Sequence, residues 1–161
     1  MCLRLSTRPL PQPVRSMTAS LREDIIKGGF WCPGGCEPSE ADVVIAFCGV
    51  IAHEAFAAAE VLREGGRKVA VLQVTSPERL VNGGERHAEM LLDDLGRETP
   101  ILTVIDAHPA SLSWIGGVRG NRVRSLGVDT FGQSGDIIDL YRHHEIDAEA
   151  IVEAANEMID H

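Results

Sequence analysis

The sequence has no long apolar run. A membrane-spanning helix needs roughly 20 consecutive apolar residues, and no stretch of the 161 approaches that length, so no membrane partner or span is expected. Positive charge is also scarce. Lys and Arg number 15 against 24 Asp and Glu, a formal net charge of −9. An acidic surface repels phosphodiester backbones and anionic lipid headgroups, so nucleic acid is not an expected partner either. The opening MCLRLSTRPLPQP carries arginines without an apolar core, which is unlike a secretory signal, and the cytoplasm is the expected compartment. There Cys2, Cys32, Cys36 and Cys48 are expected to stay reduced. No G-x-G-x-x-G follows a strand pattern and no G-x-x-x-x-G-K-[ST] occurs, so nucleotide-cofactor fingerprints are missing.

What remains is the composition of one soluble globular domain, 44% hydrophobic and 24% charged. Residues 2–5 alternate as a short strand, and Pro9, Pro11 and Pro13 then break regular structure, as a linker does. Residues 16–27 fit a short helix capped by Thr18 or Ser20 and closed by Gly28-Gly29. The runs DVVIAFC at 42–48, KVAVLQV at 68–74 and ILTVI at 101–105 are apolar and β-branched throughout, the pattern of strands buried on both faces. Between the first two, Ile51, Ala55, Ala58, Ala59 and Leu62 recur at helical spacing. Strand, helix and strand within about thirty residues predict a βαβ unit with parallel strands. Residues 77–95 read as helix interrupted at Asn82-Gly83-Gly84, residues 112–118 as a short helix, and 122–126 as a further strand. Ser134 is the expected cap of a helix toward Tyr141, and Asp147 the cap of a terminal helix carrying Ile151, Val152, Ala155, Met158 and Ile159.

Several constellations invite chemistry. Cys32 and Cys36 form one C-x3-C pair on a Pro-Gly-Gly turn, whereas a structural zinc site needs four ligands, so no metal is expected. His143 and His144 are adjacent and point about 100° apart on a helix, which suits a helix C-terminus better than a shared metal. Asp106 and His108 follow the third buried strand, the end at which open α/β sheets bind ligands. They are candidates for an acid and a base, or else Asp106 or Ser111 caps the next helix. Arg119, Arg122 and Arg124 gather locally and read as a solvated or interface face.

The wording of the sequence goes further than its composition. LGVDTFGQSG, DLYRHHEID and AEAIVEAA, in that order, together with ADVVIAFCGVIAHEAFAAAEVLREGGRKVAVLQVTSPERL upstream, resemble the C-terminal domain of the transketolase-like, thiamine-diphosphate-dependent enzymes. The tone is nearer to the homodimeric pyruvate dehydrogenase decarboxylating component and similar bacterial transketolases. The resemblance implies an α/β/α sandwich with a five-stranded, mostly parallel sheet containing one antiparallel strand. It implies residues 1–40 as a remnant of a preceding pyrimidine-binding domain plus linker, and 41–161 as the α/β/α domain. In that family thiamine diphosphate and magnesium are held by a GDG…N segment of the N-terminal domain, and a glutamate of the middle domain activates the cofactor. Gly135-Asp136-Ile137 lacks the second glycine and the downstream Asn, so this chain alone is expected to bind neither cofactor nor metal. Nor does any catalytic residue carry over. The family's sugar-phosphate arginine lies near the LS-R ending of the middle domain; the nearest match is Ser6-Thr7-Arg8, displaced by one residue, which makes Arg8 the candidate for substrate binding. The expected function is that of a fragment or split subunit of such an enzyme, acting on 2-keto acids or ketose phosphates. It would work as a homodimer or with a separate chain carrying the cofactor-binding and pyrimidine domains. A free-standing interaction or regulatory domain, and a small enzyme using Asp106 and His108, are the other classes.

Overall fold

The computed structural model describes residues 15–82, 87–130 and 134–161. Arg8, the strand expected at 2–5, the proline stretch, Gly83-Gly84 and Phe131 to Gln133 lie outside the described residues.

Helix α1 (Ala19–Lys27) starts where the Thr18 side chain accepts the Leu21 N–H, and it ends at Gly28, whose φ of +119° only glycine adopts cheaply. The same Gly28 has no room for a side chain: a Cβ would stand 2.7 Å from the Ser76 carbonyl oxygen. Strand β1 (Gly29–Trp31) follows at once. The regular part then runs β2 (Val43–Cys48), α2 (Ala52–Glu64), β3 (Val69–Val74), α3 (Pro77–Asn82), α4 (His87–Leu91), β4 (Ile101–Ile105), α5 (Ala110–Ser113), α6 (Gly116–Arg119), β5 (Val123–Leu126), α7 (Ile137–His143) and α8 (Ala148–Ile159).

The sheet order is β1-β3-β2-β4-β5. Strands β2 to β5 pair in parallel, and β1 runs antiparallel to β3, with Phe30 opposite Gln73. This is the expected five-stranded sheet with one antiparallel member. A division at residue 40 would fall between β1 and β2, and β1 is hydrogen-bonded into the sheet.

Alternation along the strands feeds two cores. Val43, Ile45 and Phe47 of β2 face one way, with Val71 and Val104, against α2 and α8. Val44 and Ala46 face the other way, with Leu72 and Ile101, against Leu80, Leu92, Leu112 and Ile115. Each fully buried Leu, Ile, Val or Phe stabilises the fold by about 1.5–3 kcal/mol relative to exposure. Ala55, Ala58 and Ala59 of α2 meet Ala154 and Ala155 of α8, small residues that let two helices lie close over one sheet face.

Three local expectations are corrected. Neither Asp106 nor Ser111 caps α5; its first N–H, that of Ala110, is accepted by Nδ1 of His108 at 3.2 Å. The cap of α7 is Asp136, not Ser134, because it is the Asp136 carboxylate that reaches the Ile138 N–H at 3.2 Å. The helix expected at 112–118 is two single turns, α5 and α6, bridged through Trp114 and Ile115. Gly116 at the break lies so close to β5 that a Cβ would stand 2.4 Å from Val123 Cγ2.

Candidate functional site

The carboxyl ends of β2, β4 and β5 are where an open parallel sheet offers a crevice. At the ends of β4 and β5 the 107–109 and 127–128 backbone segments meet. The Val128 N–H donates to the Ala107 carbonyl at 2.9 Å, and Gly127 lies against Ala107 and Pro109 so tightly that a Cβ would stand 2.5 Å from the Ala107 oxygen. Asp106 is half-buried and His108 is exposed. With its Nδ1 accepting from Ala110, a neutral His108 carries its proton on Nε2, facing outward from its own turn. The two residues lie two positions apart, and neither lines the concavity at Arg119 and Arg122 or the groove over β1.

The arginines do converge, though their charge is already engaged. Arg119 donates to the Leu92 carbonyl at 2.9 Å and pairs with the Asp93 carboxylate at 2.8 Å. Arg122 donates to the Met158 carbonyl at 2.5 Å, near the C-terminus of α8, and Arg124 pairs with Glu157. With Arg97, Glu98 and His161, Arg119 and Arg122 border an open concavity of about 520 Å³. Their role is to brace the last turn of α8 and the 92–93 turn, where cations complement helix-end carbonyls.

Cys32 and Cys36 are free thiols. Burial pushes the Cys32 thiol up to about 11, with the nearby Arg15 charge opposing the shift, and burial also raises Cys36. Groups held this firmly as thiols are poor nucleophiles and poor metal ligands. Among the described residues no group of three or more His, Cys, Asp or Glu is placed to hold a metal ion. Nor do the residues present fit a diphosphate with magnesium: the Asp136 carboxylate is committed to its own helix start, and an anion would meet it there head-on.

The second concavity is a groove of about 470 Å³ that the sequence did not announce as a unit. It straddles the outer side of β1, walled by α1 on one side and by α4 with Asp94 on the other. Phe30, Trp31 and Leu80 form its floor, and Trp31 is held there because its Nε1–H donates to the Leu91 carbonyl at 2.9 Å.

A three-layer α/β/α domain whose five-stranded sheet ends in a short antiparallel strand defines the structural class. The chain belongs to the transketolase-like TK C-terminal domain family, whose model matches residues 29–147. Over 157 residues it is 27% identical to a chloroplastic transketolase of Craterostigma plantagineum, covering 98% of this chain and 28% of that one. Transketolase-1 of Arabidopsis thaliana, also chloroplastic, is 28% identical over 153 residues, covering 95% of this chain and 19% of that one. The chain thus spans less than a third of the length of these relatives. Among solved structures, transketolase from Leishmania mexicana superposes with a TM-score of 0.66 at 19% identity, over 86% of this chain and 19% of that one. A split-gene transketolase described as an inactive beta4 tetramer superposes with a TM-score of 0.56 at 18% identity, over 78% of this chain and 44% of that one. These last two show a shared fold. Among the described residues no helix is long and apolar enough to cross a membrane.

Proposed function

We propose that this chain is the C-terminal, non-cofactor-binding part of a transketolase-like, thiamine-diphosphate-dependent enzyme, and that it serves assembly rather than chemistry. The observation that carries the proposal is the family match over residues 29–147 in a chain that spans only 19–28% of its transketolase relatives. The complete assembly would act on ketose phosphates, as the transketolase names of the relatives suggest, or on 2-keto acids. Thiamine diphosphate and magnesium would be supplied by domains outside these residues. In this reading the first forty residues connect the preceding domain, with α1 and β1 docked on the sheet, and the cytoplasm is where the assembly works. The partner is a chain bearing the cofactor-binding and pyrimidine domains, within a dimeric enzyme.

The test is calorimetric titration of the full chain with thiamine diphosphate and Mg²⁺. It is repeated in the presence of the chain from the same organism that carries the GDG…N segment. No micromolar binding is expected from this chain alone, and ketol transfer is expected only from the mixture. Micromolar cofactor binding by this chain by itself would overturn the proposal. So would a companion fully active without it.

A further inference from the structure

We infer that the groove over β1 is the seat of an extended, apolar segment carrying Lys or Arg, contributed by the chain that supplies the missing transketolase-type domains. The inference rests on the assembly reading above and adds the surface and the chemistry of the contact.

Backbone geometry is the first ground. Thr75 N–H donates to the Gly28 carbonyl and Cys32 N–H to the Val71 carbonyl, each at 2.8 Å. In an antiparallel pair such bonded positions alternate with positions whose N–H and C=O point away from the partner. Gly29 and Trp31 are those positions, so their backbone groups turn from β3 toward the groove. Among the described residues β1 is an outermost strand, and such an edge accepts an added strand.

Charge is the second. Asp24 on the α1 wall and Asp94 on the other line the groove together with Lys27 and His87, and neither carboxylate has an ion-pair partner among the described residues. A rim of that sign over a floor of Phe30, Trp31 and Leu80 selects an apolar segment with a cation and disfavours an acidic one. Met90, 65% exposed, lines the groove and offers an adaptable apolar contact.

The third is the path of the chain. The Arg15 guanidinium lies 5.0 Å from the centroid of the Phe30 ring and donates to Gln73 Oε1 at 3.3 Å. Phe30 is itself part of the groove floor. Arg15 thus anchors the chain beside the groove, and the relatives are more than three times the length of this chain.

The experiment uses the full chain and the separately produced chain from the same organism that carries the GDG…N segment, with complex formation read by light scattering and calorimetry. Met90→Asp and the pair Asp24→Lys with Asp94→Lys are expected to weaken the complex at least tenfold. Glu60→Lys and Glu153→Lys, on the α2 and α8 side, are expected to leave it unchanged. Lys27→Glu is the variant of opposite sign and is expected to tighten the complex several-fold, so the inference does not depend on loss alone. Thermal melts check that each variant is folded. A complex indifferent to all the groove substitutions would overturn the groove and leave the assembly reading standing. No complex with the unaltered chain would overturn both.

Discussion

The side-chain amide of Asn121 donates to the Gly96 carbonyl at 2.7 Å, from a position only 5% exposed. The same nitrogen reaches the carbonyls of Thr99 at 3.0 Å and Arg97 at 3.2 Å. Three acceptors share its two hydrogens, so this one residue shapes the turn that delivers the chain into β4. Asn121→Ala is expected to cost about 1–2 kcal/mol, since three part-buried carbonyls lose their donor. Asn121→Asp should cost more, because it sets a carboxylate against those carbonyls. Urea denaturation of the three proteins checks the order; an Asp variant as stable as the native chain would refute it.

Glu54, in the first turn of α2, accepts the N–H of Ala148, the first residue of α8, at 2.8 Å. One carboxylate thus sits at the positive ends of two helices. Asp147 caps the same helix through the Ala150 N–H at 3.1 Å, so α8 holds two acidic acceptors at its start. Glu54→Gln keeps an acceptor and is expected to lose about 1 kcal/mol; Glu54→Ala is expected to lose about 2 kcal/mol. Hydrogen exchange at the Ala148 amide should rise in the Ala variant well beyond the change at Ile151, whose N–H bonds the Asp147 carbonyl within the helix.

Burial holds the Cys32 thiol up at about 11, against 9.0 for the solvated group. Below pH 9 both folded and unfolded chains keep the proton, and the thiol adds no pH dependence. Between 9 and 11 the unfolded chain loses its proton first, so stability falls as pH rises through that window, by an amount on the order of 2–3 kcal/mol. Urea midpoints measured from pH 8 to 10.5 should therefore decline more steeply in the native protein than in Cys32→Ala. Parallel curves would show that Cys32 does not titrate across the transition. Alkylation by iodoacetamide at pH 8 should be slow at Cys32 for the same reason.

Much of the architecture was legible because it is written locally. The runs at β2, β3 and β4 are apolar at nearly every position, and burial on both sheet faces leaves that signature whatever the partner strand. Thr18 and Asp147 announced their caps because a cap involves residues two or three apart. The substitution of Asp136 for Ser134, and of the His108 ring for Asp106 or Ser111, marks the limit of that logic. Several adjacent residues could serve, and the backbone angles select among them.

The sequence by itself determined the α/β class, the buried strands, the α2 and α8 faces, and through its wording the transketolase-like resemblance. Tertiary structure alone decided the rest. β1 is three residues, Gly29, Phe30 and Trp31, too few to show a period, and its place beside β3 depends on Phe30 meeting Gln73 across 43 positions. It also set Gly127 and Val128 against Ala107 and Pro109, beside Asp106 and His108. The groove draws on α1, β1 and the 87–94 region, segments that become neighbours only when the edge strand pairs antiparallel and leaves its outer side between two helical layers. Local propensity fixes what each segment becomes; long-range pairing, whose closure entropy must be offset by contacts the segment cannot see in isolation, fixes what it faces.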